Sequence, residues 1–173
     1  MKPFITDARR DGRYTLRFQL EGVKREWLRD TLVGARIVAY ALPEGHSLEC
    51  AWQCRFLLDG GGILEFSSAC TVVAGWQEVG SLNIKKIVGK DDSNRDIFHE
   101  VAVEKFFIVS IDCLVYDDPD VYSECGIVFR DGSGHELIIA AGVSPGSVSV
   151  KAPFANELFA PEFSLGDYGR VPL

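Results

Sequence analysis

The stretch ECGIVFRDGSGHELIIAAG, residues 124–142, decides the fold class. Cys125, Ile127 and Phe129 alternate with their neighbours ahead of Gly132-Ser133-Gly134, and an apolar run of strand length follows in 135–142. Period-two alternation, a glycine turn and a second apolar run predict a β-hairpin. The same punctuation recurs through the chain. ARIVAYAL (35–42) stops at Pro43-Glu44-Gly45, and LECAWQCRFLL (48–58) meets Asp59-Gly60-Gly61-Gly62 before ILEFSSA (63–69). CTVVAGW (70–76), GSLNIKKI (80–87) and SVSVKAP (147–153) read as shorter strands, with KDDSNR (90–95) a polar loop.

Two segments depart from this simple punctuation. GRYTLRFQL (12–20) puts Tyr14, Leu16, Phe18 and Leu20 on one side and Arg13, Thr15, Arg17 and Gln19 on the other, a half-buried strand. FHEVAVEKFFIVSIDCLVY (98–116) would span roughly 60 Å as one strand, too long for a small domain, so it breaks in two near Glu104-Lys105 or Ser110. Helical periodicity occurs once. Leu20, Val23, Trp27 and Thr31 share an arc, Glu21 precedes Arg25 by four, and Gly34 fits a C-cap, which predicts an amphipathic helix over about 21–33. The expected fold is α+β and mostly β: an antiparallel curved sheet or sandwich of about eight to ten strands with one helix, in one domain over 1–173. Residues 154–173, rich in Pro, Gly and aromatics, are expected to form an irregular tail packed on it.

The chain is 47% hydrophobic and 25% charged, the balance of a globular protein, with a net charge of −7. That charge argues against broad attraction to nucleic acid or anionic membrane. It is polarised: residues 1–36 carry nine basic and five acidic side chains, and 37–173 carry nine and twenty. Either this marks an interaction surface or the basic start packs against the acidic remainder. No apolar run has the length of a signal peptide or a membrane span, so a cytoplasmic location is expected. The five cysteines, Cys50, Cys54, Cys70, Cys113 and Cys125, are odd in number and lie in apolar contexts, which predicts buried reduced thiols.

No catalytic constellation emerges. His46, Cys50 and Cys54 are four apart, which on a strand separates neighbours by about 13 Å, whereas zinc ligands sit about 2 Å from the metal. His99 and His135 follow polar turns, no GxSxG or phosphate loop occurs, and DGSG (131–134) lacks the acidic ladder of a calcium loop. No cofactor and no metal are expected, and the balance is against an enzyme. Trp27, Trp52 and Trp76 are assigned to the core. The most suggestive segment is DDPDVYSE (117–124). Asp117, Asp118, Asp120 and Glu124 surround an exposed-looking Val121-Tyr122, a composition suited to binding a basic protein by steering and an aromatic anchor.

These traits together resemble those of small, acidic, cytosolic bacterial immunity proteins, which bind and block a cognate toxin. The resemblance is one of class, with no shared motif. It implies a non-enzymatic inhibitor of a basic partner that acts through Asp117, Asp118, Asp120, Tyr122 and Glu124. The alternative is a small-molecule-binding β protein or an enzyme with a pocket within the sheet, lined by His99 or His135 and a carboxylate. Pairing of edge strands into a homo-oligomer is a third option.

Overall fold

The computed structural model describes residues 7–8, 12–73, 75, 77–88 and 97–173, with 7, 8 and 105 described by backbone alone. Trp76 and the loop 90–95 lie outside these residues. In chain order the strands are β1 (Asp7–Ala8), β2 (Tyr14–Leu16), β3 (Gln19–Glu21), β4 (Arg36–Pro43), β5 (Cys54–Leu58), β6 (Gly62–Val72) and β7 (Glu78–Val88). They continue with β8 (Phe98–Phe107), β9 (Ser110–Asp117), β10 (Val121–Arg130), β11 (Glu136–Ala141), β12 (Val148–Lys151) and β13 (Tyr168–Pro172). The chain is therefore mostly β, in two sheets arranged as a sandwich.

The first sheet is built on β10. β9 runs antiparallel along one edge, with β13 beyond it. The other edge is shared: β2 takes Val121–Ser123 and β11 takes Gly126–Arg130, with β1 and β12 outside them. The second sheet has the order β3-β7-β6-β5-β4-β8. Adjacent hairpins account for most neighbours, as expected for strands joined by short turns. Among the described residues two pairings are parallel, β2 with β10 and β3 with β7. Both arise because the predicted single strand 12–20 is divided at Arg17–Phe18 and serves one sheet with its first half and the other with its second. The long run 98–116 divides at Ile108–Val109, next to Ser110.

The core lies between the sheets. Phe56, Leu64 and Phe66 of the second sheet meet Ile127, Phe129 and Ile139 of the first. The Phe66 and Phe129 rings meet edge to face at 6.3 Å across the interface. A bulge at Cys125 interrupts the β9–β10 register between Glu124 and Gly126. It switches the inward parity of β10: Tyr122 and Glu124 point in before it, Ile127 and Phe129 after it.

The helix is shorter than its periodicity suggests. It covers Leu28–Leu32, preceded by a 3-10 turn at Arg25–Trp27, while Leu20 and Glu21 belong to β3. Gly22 explains the break. It sits at φ +75°, and a Cβ there would lie 2.3 Å from the Lys86 carbonyl oxygen, so the chain turns in left-handed backbone hard against β7. Leu28 and Leu32, four apart, are fully buried, but Trp27 is 63% exposed beneath the Lys24 ammonium. The tail is also more ordered than an irregular strap: Tyr168–Pro172 forms β13 on β9, and Phe163 stacks on Tyr116 at 3.8 Å.

On the outer face, Glu136 is bound by Arg130 and Arg170 at 2.9 and 2.5 Å, and Arg130 also binds Asp112 at 2.5 Å. This network ties β9, β10, β11 and β13 together. The Arg170 and Arg130 guanidinium groups pull the Glu136 carboxyl down to about 2. The sheets approach closely at Gly80, where a Cβ would lie 2.5 Å from the Ala141 Cβ. Gly80→Ala is expected to lower unfolding free energy by about 1–3 kcal/mol, because packed cores resist added atoms. Gly60→Ala, where a Cβ meets nothing within 4 Å, should change it by less than about 0.5 kcal/mol. Urea unfolding of both variants checks this; equal effects would contradict the close approach.

Candidate functional site

The five residues expected to form one acidic surface occupy two environments. Asp117 ends β9 and ion-pairs with Arg13. Asp118 closes the turn: its N–H donates to the Val121 carbonyl at 2.9 Å, and its side chain accepts the Asp120 N–H at 3.1 Å. Asp120 is exposed, and its carbonyl accepts the Tyr14 N–H at 2.9 Å. Val121, expected at the surface, is buried, and Tyr122 packs partly against the core.

Glu124 is inside the sandwich, 1% exposed. Its Oε2 accepts the Phe18 backbone N–H at 2.8 Å and Arg25 Nη1 at 2.6 Å, while Oε1 accepts Arg25 Nη2 at 2.8 Å. Hydrogen bonding to Glu124 raises the Arg25 pKa above its ordinary value against the effect of burial. Burial, with the Glu124 charge behind it, pushes the Tyr122 hydroxyl up in turn. Arg13 and Arg25 both come from the basic first 36 residues. Two of its arginines thus pair with acidic residues of this region, Arg13 with Asp117 and Arg25 with Glu124.

A second acidic region lies in the other sheet. The end of β4, the turn after it and the start of β8 enclose an open groove of about 590 Å³. Tyr40, Leu42, Phe98 and Val101 supply its apolar surface, with Glu44, Glu157, His46 and His99 around them. Glu157 comes from the C-terminal segment and is fixed by the Leu48 N–H, which donates to its Oε2 at 2.5 Å. The Tyr40 hydroxyl is pushed up by burial and by the Glu157 charge. His46 Nδ1 accepts the Trp52 backbone N–H at 3.3 Å, and the two rings meet edge-on at 6.5 Å. Trp52 is 66% exposed. Arg55 stacks on Phe98, its guanidinium 3.9 Å from the ring centroid, and is held by Glu65 at 2.7 Å. Apolar side chains flanked by two carboxylates match the chemistry of a long aliphatic chain ending in a cation.

Sequence reasoning missed Glu44, Glu157 and Trp52 as a group. Extending the inward parity of β5 back from Cys54 sends Trp52 to the core. The chain instead leaves the strand before Cys54, where Ala51 bridges to Val148. The only available signal was the turn Pro43-Glu44-Gly45, which ends β4 beside the groove. His99 does line this groove. His135 lies in a second one of about 810 Å³ with Glu104 and Phe154, its Nδ1 3.0 Å from Asp131, which also accepts two backbone N–H groups of its own turn.

All five cysteines are free; Cys54, Cys113 and Cys125 are buried, Cys50 is half-buried, and Cys70 is exposed. Among the described residues, no three His, Cys, Asp or Glu side chains are arranged to hold a metal ion, and no helix is long and apolar enough to cross a membrane. No protein-family model matches the chain, and comparison with curated proteins and with solved structures gives no match either.

Glu162 is displaced in the opposite direction to Glu136. It lines a small cavity of about 180 Å³ with Ser68, Cys70, Glu78 and Gly80, and it accepts the Gly80 N–H at 2.7 Å. Burial pushes it up to about 7 against that hydrogen bond, with the Glu78 charge adding to the rise. Cys70, Tyr116, Cys125 and Tyr168 also feel its charge. A carboxyl raised in the folded state stabilises the fold fully below its unfolded pKa, and that contribution is lost as pH rises through 7. Glu162→Gln, which keeps an acceptor for Gly80, should therefore gain about 1–2 kcal/mol on the wild type between pH 5 and pH 8, after discounting for partial exposure. Denaturant unfolding at the two pH values measures this; a difference independent of pH would contradict it.

Proposed function

We propose that this chain is a non-enzymatic protein-binding protein of the immunity type, which neutralises a basic partner such as a toxin by laying an acidic surface on it. The observation that supports this reading best is the groove between β4 and β8. It combines Glu44 and Glu157 with an apolar floor, and a tryptophan two-thirds exposed stands beside it. Exposed aromatics at the centre of polar surroundings are the common anchors of protein interfaces. A rim of carboxylates steers a basic partner and repels acidic ones. In this reading the groove is the principal contact. The turn at Asp117, Asp118 and Asp120 adds to the long-range field, because Arg13 already engages Asp117 and Glu124 is inside the protein.

The test uses the basic protein that co-purifies in equal amount with this chain from its own cells. Trp52→Ala should weaken binding by about thirtyfold, the effect of losing an interface anchor worth about 2 kcal/mol. Glu44→Gln with Glu157→Gln should slow association and flatten its salt dependence. Asp117, Asp118 and Asp120 replaced together by Asn should have the smaller effect. Calorimetry and stopped-flow kinetics read these outcomes. Unchanged affinity in the groove variants with a large loss in the turn variant would place the contact at the turn. A stoichiometric small molecule in the groove, and no protein partner, would favour the ligand-binding alternative.

A further inference from the structure

The groove opens at the first residues of β8, and β8 is the last strand of its sheet. Among the described residues it pairs with β4 alone, regularly over Phe98–Ala102 and again at Phe106–Phe107, with a slip in register between. Its far edge offers backbone N–H and C=O groups to an incoming chain.

The side chains along that edge differ by face. Glu100 and Ala102 lie on the outer face, and both they and Glu104, in the slipped stretch, are exposed. Val101 and Val103 alternate on the inner face, where they pack against the core but stay half-exposed. An added strand brings its own side chains within about 5 Å of these on each face. The edge therefore suits a segment in which basic and apolar residues alternate, the basic ones beside Glu100 and Glu104 and the apolar ones covering Val101 and Val103. A second copy of β8 suits it poorly. Symmetric antiparallel pairing about Ala102 sets Glu100 against Glu104 at both ends, and like charges directly opposite are destabilising.

We infer that the basic partner is engaged by strand addition: an extended segment of alternating basic and apolar residues pairs with the free edge of β8. Its apolar side chains lie over Val101 at the mouth of the groove, and its basic ones lie beside Glu100 and Glu104. This rests on the protein-binding reading given above and adds the mode of recognition, in which main-chain hydrogen bonds supply affinity and alternate side chains supply selectivity.

The probe is the acetylated, amidated peptide Lys-Val-Lys-Val-Lys-Val-Lys, titrated into the full chain by calorimetry, with amide hydrogen exchange followed by NMR. Binding should slow exchange at Phe98–Glu104 by about tenfold or more. Three changes should each weaken it by about tenfold or more: full N-methylation of the peptide, replacement of its lysines by glutamates, and Glu100→Gln with Glu104→Gln in the protein. No binding, equal binding of the N-methylated peptide, or protection confined to other strands would overturn strand addition. The co-purified partner separates the two levels of the account. If its affinity falls with Trp52→Ala but is untouched by Glu100→Lys with Glu104→Lys, strand addition is wrong and the groove reading stands. If neither variant changes it, both are wrong.

Discussion

One carboxylate holds the place where the chain passes from one sheet to the other. Glu124 projects inward from β10 and accepts three hydrogen bonds, one from the Phe18 backbone and two from Arg25. Phe18 lies in the two-residue crossover between β2 on the first sheet and β3 on the second. Burying a carboxylate costs several kcal/mol unless its lone pairs are filled. Here a bidentate guanidinium and a backbone amide fill them, and Arg25, about one-third exposed, keeps part of its hydration. The arrangement requires the bulge at Cys125, because without the extra residue the inward parity of β10 would not serve both Glu124 and the Ile127–Phe129 core. Once the crossover is fixed, β3 lies on β7, the chain turns at Gly22, and Leu28 and Leu32 of the short helix reach the core.

The same contacts explain the polarised sequence. Described residues of the basic first segment pair with the rest of the chain: Arg13 meets Asp117, Arg25 meets Glu124, and Glu21 in turn meets Lys85 at 3.5 Å. Acidic residues near the turn between β9 and β10 are thus partly committed to the protein itself. Those around the β4–β8 corner, namely Glu44, Glu100, Glu104 and Glu157, are exposed. Which acidic surface stays exposed is set by how the fold distributes internal ion pairs, and linear clustering of aspartates is a poor guide to it.

What could be read from the residues follows from the range of the interactions. Hairpins are local. The alternation of Cys125, Ile127 and Phe129 around a glycine turn, and the runs either side of Gly60–Gly62, were enough to predict the β10–β11 and β5–β6 pairs. The excess length of 98–116 was enough to predict a break. The helix over 21–33 was misjudged because Leu20 and Val23 satisfy a helical arc and a strand-then-turn path equally well. The arbiter, the Lys86 carbonyl against Gly22, lies over sixty residues away in sequence. Trp52 was misplaced because parity holds only while a strand continues, and the bend at Ala51 depends on a bridge to β12. The burial of Glu124 was hidden for a related reason: a bulge carries no composition signal beyond the Cys125-Gly126 pair. The groove joins Glu44, His99 and Glu157 from three distant segments, and no spacing rule links them.

The sheet-to-sheet crossover depends on Glu124 and Arg25 acting as a unit, and a double-mutant cycle measures that directly. Arg25→Met, Glu124→Gln and the double variant are compared by urea unfolding with the matching cycle on the exposed pair, Arg13→Met and Asp117→Asn. The account predicts a coupling energy of about 2–3 kcal/mol for the buried pair and below about 0.5 kcal/mol for the exposed one. Equal and small couplings in both cycles would show that the crossover is held by packing alone and would contradict it.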